Sequence, residues 1–502
     1  MLRLCHGENF RSSESRTLSV LNCYAECRRK SSSIKRTFKK YDTHSSSTTH
    51  IPHPTPLNFI CKNKNPNNTT MRKTIIILLV MLSSMIHAEN YPYRSDFLWV
   101  TVPDHADWLY RCGEKATIDI QLYKYGIPRD ASISWTLADD MLSPDRKGTL
   151  TMRNGRAKLN IGTSKKPGFR DLVLTTTIDG TVTTHHVKVG FSVDKIRPYT
   201  EEPADFMQFW ADNQETANRD VEFTVETAPE FSTDRIQCQL LKIKTDKTHY
   251  VYAYLTFPRD AKPASCPAVI CPPGAGIKTI KEPLRHRYYA ENGFMRIEME
   301  IHGLDPRTPE STFKEIQSAF AARGNNYLEN GLDNRDNYYM RHVYLALRSV
   351  ARYAMSNPLW DGRNLIFQGG SQGGALALIG AALVPETTAA VANHPALSDM
   401  AAYSVEGRTG GYPHFNRTPG MMTPEKLKVM AYYDVVNFSR HISCPTLITW
   451  GYNDNTCPPT TSYAVFNTLS CPKEALLTPI NEHWTSDATE RYLMEWIKQH
   501  LK

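Results

Sequence analysis

From about Phe223 to the C-terminus, short apolar segments alternate with amphipathic ones, and this alternation restricts the possible folds more than any other feature. Six segments are short enough to be buried strands: "CPAVICPP", "FMRIEMEI", "NLIFQGG", "AAVANHPAL", "TLITWG" and "ALLTPI". The segments "YYMRHVYLALRSVARYAM" and "GALALIGAAL" are predicted helices, and further helices are expected at about 460–468 and 485–501. Buried strands separated by helices predict an α/β fold whose mostly parallel sheet is covered on both faces.

The preceding region, from about Glu89 to Val193, alternates apolar and polar residues with a period of two. The dipeptides Asn154-Gly155 and Asp179-Gly180 each separate two such runs, and they supply the positive φ angles that two-residue hairpins need. About seven short strands in roughly 100 residues predict an immunoglobulin-like β-sandwich over residues 89–195. We interpret this domain as a spacer or lid, with sugar binding or shaping of the active-site mouth as the alternative.

The segment "RPYTEEPADFMQFWADNQ" joins the two predicted domains, and the spacing of its apolar residues changes from that of a strand to that of a helix. Thr200 could cap a helix on which Phe206, Phe209 and Trp210 share one face. This helix is expected to dock at the boundary, so that the α/β domain covers residues 196–502.

The formal net charge of +8 comes from the first 70 residues. These residues hold 12 Lys and Arg against 4 Asp and Glu, whereas the other 432 residues hold 47 of each class. The globular part therefore carries no basic excess that would indicate nucleic-acid binding. Residues 1–70 are polar and lack apolar periodicity, so we interpret them as a mis-called start or a disordered leader.

A signal sequence is predicted directly after this leader, in "MRKTIIILLVMLSSMIHAEN" from Met71. Arg72 and Lys73 form a positive n-region, Thr74–Ile86 an apolar h-region, and Ala88 suits cleavage, so that residues 71–88 are a signal peptide. The apolar run is short for a membrane span, and no span is expected in the mature protein. The alternative is a disordered tail followed by a membrane anchor. The expected location is therefore secreted or periplasmic.

The cysteines after the signal region do not predict a disulfide scaffold, because they are few and odd in number. Cys266 and Cys271 could still pair in an oxidising compartment. The sequence has no CxxC pair, no zinc-spaced histidine cluster and no phosphate-binding loop, so neither a metal nor a cofactor is expected.

The segment "NLIFQGGSQGGALALIGAAL" places Gly369-Gly370-Ser371-Gln372-Gly373 between a predicted strand and a predicted helix. This is G-x-S-x-G in the context of a nucleophile elbow, where a tight turn lifts the serine Oγ out of the sheet. The amides at the start of the helix would stabilise negative charge at the same point. We therefore interpret Ser371 as a nucleophile, the alternative being a glycine turn without chemistry.

A serine nucleophile needs a base, and the base needs a carboxylate to orient it. In α/β-hydrolases these residues follow in the order Ser, Asp or Glu, His. Asp454 in "TLITWGYNDNTCPP" and His483 in "ALLTPINEHWTS" each follow a predicted strand and keep this order. A rival, Asp487, comes after His483 inside a predicted helix. The competing histidines all precede Asp454: His394, His414 and His441.

Two backbone amides are expected to form the oxyanion hole. One belongs to Gln372, the residue after the nucleophile. The other should come from the loop "CPPGAG", where Ala275 lies between Gly274 and Gly276.

With these residues assembled, the chain from about Glu201 to Lys502 resembles the acetyl xylan esterase/cephalosporin C deacetylase family of α/β-hydrolases. The resemblance rests on "GGSQGG", "YYMRHVYLALRSV" and "DNTCPPTTSYAVFN", and it extends to a variant of the family with an N-terminal sandwich domain. It implies that Ser371 is the nucleophile, Asp454 the orienting acid and His483 the base, and that the activity removes O-linked acetyl groups from sugars. It also implies a possible homo-oligomer.

The chain departs from the family pattern at three points. "EIHGLDP" (Glu300–Pro306) stands where the family has an Arg-Gly-Gln motif, which is tied there to oligomer packing. Ala275 replaces a frequent Tyr in the oxyanion loop, and Trp484 replaces a frequent Glu after the histidine.

The leading hypothesis is a secreted serine esterase that acts on acetylated saccharides. A second hypothesis keeps the triad and changes the substrate to a peptide or another carboxylic ester. A third is a non-catalytic carbohydrate-binding protein, against which the presence of all three triad residues argues.

Overall fold

The computed structural model describes residues 96–217, 222–322 and 327–502. The predictions for the leader (1–70), the signal peptide (71–88) and residues 89–95 lie outside these ranges. The strands are β1 (Phe97–Pro103), β2 (Leu109–Tyr110), β3 (Ala116–Lys124), β4 (Ile127–Pro128), β5 (Ser132–Asp139), β6 (Arg146–Thr151), β7 (Arg156–Gly162), β8 (Gly168–Ile178), β9 (Thr181–Phe191), β10 (Phe223–Thr227), β11 (Ile236–Lys244), β12 (Tyr250–Pro258), β13 (Cys266–Cys271), β14 (Met295–Met299), β15 (Trp360–Gly370), β16 (Ala389–Asn393), β17 (Thr446–Trp450) and β18 (Lys473–Leu477). The α-helices are α1 (Phe206–Ala217), α2 (Tyr288–Glu291), α3 (Glu310–Ala322), α4 (Met340–Ser356), α5 (Gln372–Leu383), α6 (Pro424–Tyr433), α7 (Val435–Ser439), α8 (Pro459–Thr468) and α9 (Asp487–Gln499).

Contacts within the chain divide it into two compact units. The described part of the smaller unit is residues 96–100 and 121–129, where the end of β3 pairs antiparallel with β4. The larger unit contains residues 101–120 and 130–502. It holds a five-stranded sheet of order β2-β9-β8-β5-β6 and a nine-stranded sheet. A further sheet has the order β1-β3-β4, with β7 paired to β3.

The two predicted hairpin turns have different outcomes. Asp179 and Gly180 have φ angles of 50° and 78°, and they join β8 and β9 as an antiparallel hairpin, as predicted. Asn154 and Gly155 also have positive φ angles, of 50° and 68°. Arg153 and Arg156, which flank this turn, form an antiparallel bridge, so the predicted two-residue hairpin is present. The pairing does not extend along the two runs, because β6 pairs with β5 and β7 pairs with β3, so the chain passes from one sheet to the other after this turn.

The nine-stranded sheet has the order β10-β11-β12-β14-β13-β15-β16-β17-β18. Strands β10 to β12 pair antiparallel, and β12 pairs antiparallel with β14. The remaining pairs, from β14 through β13 to β18, are parallel, which confirms the predicted α/β sheet. Strands β14 and β15 lie on opposite sides of β13, so the strand order reverses there. Such a switch point opens a crevice at the carboxyl ends of the strands, where sites on α/β sheets form.

Helix α1 docks through the aromatic face that its spacing predicted. Phe206, Phe209 and Trp210 are buried. The indole N–H of Trp210 donates to the carbonyl of Tyr432 at 3.1 Å, and its ring centroid lies 5.4 Å from that of Phe438 in α7. The helix therefore attaches the segment that follows the β-rich region (strands β1 to β9) to the α/β core.

Thr200 does not cap this helix, which begins at Phe206, so that prediction was wrong. Its hydroxyl and its backbone N–H donate instead to Oδ1 of Asp399, at 2.9 Å and 2.8 Å. Burial raises the pKa of Asp399, while the donors from Tyr199 and Thr200 oppose this rise. A buried carboxylate needs such donors, and this need outweighs the weaker preference of threonine for a helix cap.

The seven cysteines in the described residues are free thiols. Cys266 and Cys271 are the first and last residues of β13. Because a strand rises about 3.3 Å per residue, their Cα atoms are about 16 Å apart, too far for a disulfide.

None of the helices in the described residues is both long enough and apolar enough to cross a lipid bilayer.

Replacing Trp210 by Ala should strongly destabilise the protein. The side chain is 0% exposed, and loss of a buried Trp costs about 3–5 kcal/mol. Met207 on the same helix is 40% exposed, so Met207→Ala is the matched control. Urea unfolding followed by fluorescence and circular dichroism should show a clearly lower midpoint for Trp210→Ala. Equal midpoints for the two variants would show that α1 does not depend on this anchor.

Candidate active site

Ser371 lies in a strained turn between β15 and α5. Its φ is 59° and its ψ is −124°, a region that non-glycine residues rarely occupy. The turn is held by the chain on both sides: the Ser371 N–H donates to the carbonyl of Asn393 at 2.9 Å, and the Ala396 N–H donates to the carbonyl of Ser371 at 3.0 Å. This is the geometry of a nucleophile elbow, with the side chain at the carboxyl edge of the sheet.

The glycines around Ser371 are required by the close approach of three backbone segments. A Cβ on Gly373 would lie 2.4 Å from the carbonyl oxygen of Pro272, and a Cβ on Gly369 would lie 2.3 Å from that of Gly373. The loop after β13 therefore packs directly on the first turn of α5. This contact brings the predicted oxyanion loop to the turn that carries Ser371.

The structure brings Ser371, His483 and Asp454 together. Oγ of Ser371 lies 2.9 Å from Nε2 of His483, and Nδ1 of His483 lies 2.8 Å from Oδ2 of Asp454. When Nδ1 donates its proton to the carboxylate, Nε2 is free to accept the proton of the serine hydroxyl. Asp487, the rival carboxylate, is instead the first residue of α9.

Asp454 is buried, and both of its carboxylate oxygens have partners. Oδ1 accepts from the backbone N–H groups of Thr456 and Cys457, at 2.7 Å and 2.8 Å. Burial alone would raise the pKa of Asp454, but the hydrogen bond and the charge of His483 outweigh burial and hold it below its ordinary value. The carboxylate thus stays ionised while it orients the imidazole.

A second histidine ring, which chain order had excluded as the base, packs against His483. The ring centroids of His394 and His483 are 4.3 Å apart. Burial, together with the nearby charge of His483, lowers the pKa of His394 to about 3. His394 is therefore neutral at ordinary pH and can contact an imidazolium without repelling it.

These residues also have the spacing that a metal ion would need. Among the described residues, ligand-type atoms of His394, Asp454 and His483 lie within 4.8 Å of one another. The bonds from His483 to Ser371 and Asp454 occupy both of its ring nitrogens. A metal bound to His483 would therefore displace its contact with Ser371 or its contact with Asp454.

Sequence reasoning missed a tyrosine that links Gln372 to the loop that contains Ala275. The hydroxyl of Tyr327 donates to Oε1 of Gln372 at 2.6 Å and accepts from the N–H of Gly276 at 3.1 Å. Gln372 and Tyr327 are both buried. Tyr327 therefore ties the residue after Ser371 to the residue after Ala275, and no local motif in the sequence marks it.

The segment that departs from the family motif supports the same loop. Nε2 of His302 lies 3.1 Å from the carbonyl of Gly276, and Nδ1 lies 2.6 Å from the hydroxyl of Tyr339. Glu300 accepts from the N–H groups of Tyr252 and Gly303, at 2.7 Å and 3.1 Å. "EIHGLDP" thus has a structural part in holding the loop, although it lacks the Arg-Gly-Gln sequence.

The fold and its comparisons define the class of protein. The acetyl xylan esterase of Paenibacillus sp. R4 superposes with a TM-score of 0.54 at 22% identity, covering 62% of this chain and 98% of that one. Acetyl xylan esterase 1 of Thermoanaerobacterium sp. JW/SL YS485 gives a TM-score of 0.53 at 22% identity, covering 61% and 97%. At this identity the likeness concerns the fold, which is that of the α/β-hydrolases.

The sequence comparisons identify the family. The profile of the acetyl xylan esterase family (AXE1) matches residues 191–500. The acetyl esterase Axe7A of Xylanibacter ruminicola is 54% identical over 444 residues, which are 88% of this chain and 100% of that protein. The chain belongs to the acetyl xylan esterase family and is a carboxylic-ester hydrolase, as the resemblance implied.

Replacing Gly373 by Ala should abolish most esterase activity, because its Cβ would meet the Pro272 carbonyl at 2.4 Å and displace either the loop or α5. Gly370→Ala is the matched control, since the nearest atom to its Cβ, Nε2 of His394, is 3.6 Å away. Initial rates with p-nitrophenyl acetate should fall by at least about 100-fold for Gly373→Ala and much less for Gly370→Ala. Similar rates for the two would contradict the packing described here.

Proposed function

We propose that Ser371, His483 and Asp454 are the catalytic triad of a serine esterase that removes O-acetyl groups from xylan-derived or related saccharides. The observation that carries this proposal is the continuous chain of contacts from Ser371 Oγ through His483 to the buried Asp454 carboxylate. The strained backbone at Ser371 supports it independently, since such strain is concentrated at functional residues.

In the proposed reaction, Oγ of Ser371 attacks the acetyl carbonyl carbon while Nε2 of His483 takes the hydroxyl proton. The carbonyl oxygen becomes an oxyanion, which the N–H groups of Gln372 and Ala275 stabilise. His483 then gives the proton to the sugar oxygen as its bond to the acetyl carbon breaks, the sugar leaves with a free hydroxyl, and an acetyl-enzyme remains. Water, deprotonated by His483, attacks this ester and releases acetate and free Ser371.

The environment of Asp454 supports this division of roles. Its lowered pKa keeps it negatively charged, so it stabilises the imidazolium that forms when His483 takes a proton. The two loop N–H groups on Oδ1 fix the carboxylate so that Oδ2 faces the imidazole.

The substrate class is proposed from the family and from the 54% identical relative, whose name is that of an acetyl esterase. The products are acetate and a saccharide with a free hydroxyl. An acyl site selective for acetyl would hydrolyse longer acyl chains more slowly.

We also propose that the protein is exported to the periplasm or the medium. Support comes from the sequence "MRKTIIILLVMLSSMIHAEN", with its basic n-region, apolar h-region and small residue at Ala88.

Ser371→Ala should lower kcat for acetate release from acetylated xylo-oligosaccharides by at least about 10³-fold, because the nucleophile is gone. Ser318→Ala, at an exposed serine on α3, is the control and should retain full activity. Acetate can be measured with a coupled enzyme assay. Undiminished hydrolysis by a folded Ser371→Ala protein would refute the assignment of the nucleophile.

A p-nitrophenyl acyl series tests the substrate class. We expect kcat/KM to fall steeply from acetate to butyrate to octanoate, and acetylated xylo-oligosaccharides to be hydrolysed. A preference for long acyl chains, or cleavage of peptide substrates by the same serine, would move the function to a general carboxylesterase or a peptidase.

Export can be tested by expressing residues 71–502 in a Gram-negative host and sequencing the N-terminus of the protein in each fraction. We expect a periplasmic or extracellular product that begins close to Glu89. Leu78→Arg within the h-region should leave the precursor in the cytoplasm. An uncleaved wild-type protein in the membrane fraction would support the anchor alternative instead.

A further inference from the structure

Strand β9 of the β-rich region contacts both loops that carry Asp454 and His483. The backbone N–H of Lys188 donates to Oδ1 of Asn453 at 2.9 Å, and its Nζ donates to the carbonyl of Asp454 at 2.8 Å. Two residues earlier, Nε2 of His186 lies 3.4 Å from Oε1 of Glu482, the neighbour of His483. Residues two apart on a strand share a face, so one face of β9 contacts both loops.

Lys188 is part of an ion pair that is removed from water. Its Nζ lies 2.8 Å from Oδ1 of Asp140, and the two side chains are 0% and 1% exposed. Oδ2 of Asp140 accepts from the hydroxyl of Thr460 at 2.7 Å and from its N–H at 3.2 Å. Burial raises the pKa of Asp140, and the charge of Lys188 opposes this rise.

This ion pair holds the loop that carries Asp454 at two places, at Asp454 itself and at Thr460. Thr460 is the second residue of α8, whose own N-cap residue, Pro458, provides no side-chain cap. Asp140 therefore supplies a carboxylate to the start of that helix, where negative charge is stabilised. Lys188 holds the loop at Asp454 and Asp140 holds it six residues later.

His186 is held in a comparable way beside the other loop. Nδ1 of His186 lies 3.1 Å from Oδ1 of Asp171 in β8, and both side chains are 13% exposed. Burial would lower the pKa of His186, but the charge of Asp171 and the hydrogen bonds to Asp171 and Glu482 outweigh it and raise the pKa to about 9. The ring is thus cationic at neutral pH and attracts the Glu482 side chain next to His483.

Stability alone does not explain a buried ion pair, because replacing one with apolar side chains is often neutral or favourable. The arrangement here has another consequence: it fixes the two loops so that Asp454 reaches His483 and His483 reaches Ser371. A displacement of about 1 Å in such a site costs on the order of 100-fold in rate.

We propose that Lys188 and His186 are positioning residues for ester hydrolysis, through which the β-rich region sets the places of Asp454 and His483. This inference rests on the proposed triad. It makes the β-rich region a structural part of the active site, in addition to any role as a spacer.

The test compares full-length variants that remove these contacts with one that removes a different ion pair of the same region. Lys188→Met with Asp140→Asn removes both charges and leaves no unpaired buried carboxylate. His186→Asn removes the second contact. The control is Arg170→Met, because Arg170 bonds to Asp139 and Asp145 within the β-rich region itself.

We expect kcat for p-nitrophenyl acetate to fall by about 10- to 100-fold in the double variant, and less in His186→Asn, with KM nearly unchanged. Inactivation by a serine-directed phosphonate should slow by a similar factor, since it reports the reactivity of Ser371 directly. Arg170→Met should lower the melting temperature but keep kcat within about twofold of wild type.

The pH dependence of stability gives a second readout for His186. The groups that face its ring are Asp171, Glu482 and, on its own strand, His185 and Lys188. Its pKa is raised from 6.5 to about 9, so its contribution to stability is complete below pH 6.5 and is lost as the pH rises through 9. The melting-temperature difference between wild type and His186→Asn should therefore be larger at about pH 6 than above about pH 9.

The outcomes separate this inference from the proposed function. Activity in Ser371→Ala would overturn the triad itself. An inactive Ser371→Ala together with wild-type kcat in both the double variant and His186→Asn would overturn only the positioning role. If the double variant fails to fold, His186→Asn alone decides: an unchanged kcat and phosphonate rate overturns the inference, and a loss of both with KM unchanged supports it.

Discussion

The site depends on the buried residue Asp454, because three parts of the chain bind to its carboxylate or its backbone carbonyl. Its Oδ2 faces His483, its Oδ1 accepts two N–H groups of its own loop, and its backbone carbonyl accepts from Lys188. A buried carboxylate is tolerated only when its oxygens have donors and an opposing charge. The donors that keep the Asp454 carboxylate ionised therefore fix the loop and the imidazole, and the bond from Lys188 to the backbone carbonyl attaches β9 to the same residue.

The part of the site around Ser371 is built by close packing instead of by charge. Strand β15, the first turn of α5 and the loop after β13 approach so closely that Gly369 and Gly373 have no room for a Cβ. Tyr327 and His302 then bind the same loop through Gly276. Backbone crowding sets the position of Ser371, and hydrogen bonds from distant segments fix the amides that should face the oxyanion.

These supports show how a family member can lack family motifs and keep the family fold. The Arg-Gly-Gln motif is replaced by "EIHGLDP", and the loop tyrosine by Ala275. In this chain His302 of the replacement segment binds the loop, and Tyr327 brings a hydroxyl to it from another part of the sequence.

The sequence alone determined the α/β sheet, the position of Ser371 between strand and helix, and the order of Asp454 and His483, because these depend on local periodicity, glycine placement and chain order. Only the tertiary structure decided that Thr200 binds Asp399 instead of capping α1, and that Lys188 and Asp140 lie beside Asp454. Lys188 and Asp454 are 266 residues apart, and Thr200 and Asp399 are 199 apart. Such contacts form because a polar group that is buried away from water needs a hydrogen-bond partner or an opposing charge. The partner can come from any part of the chain, so no local sequence pattern predicts it.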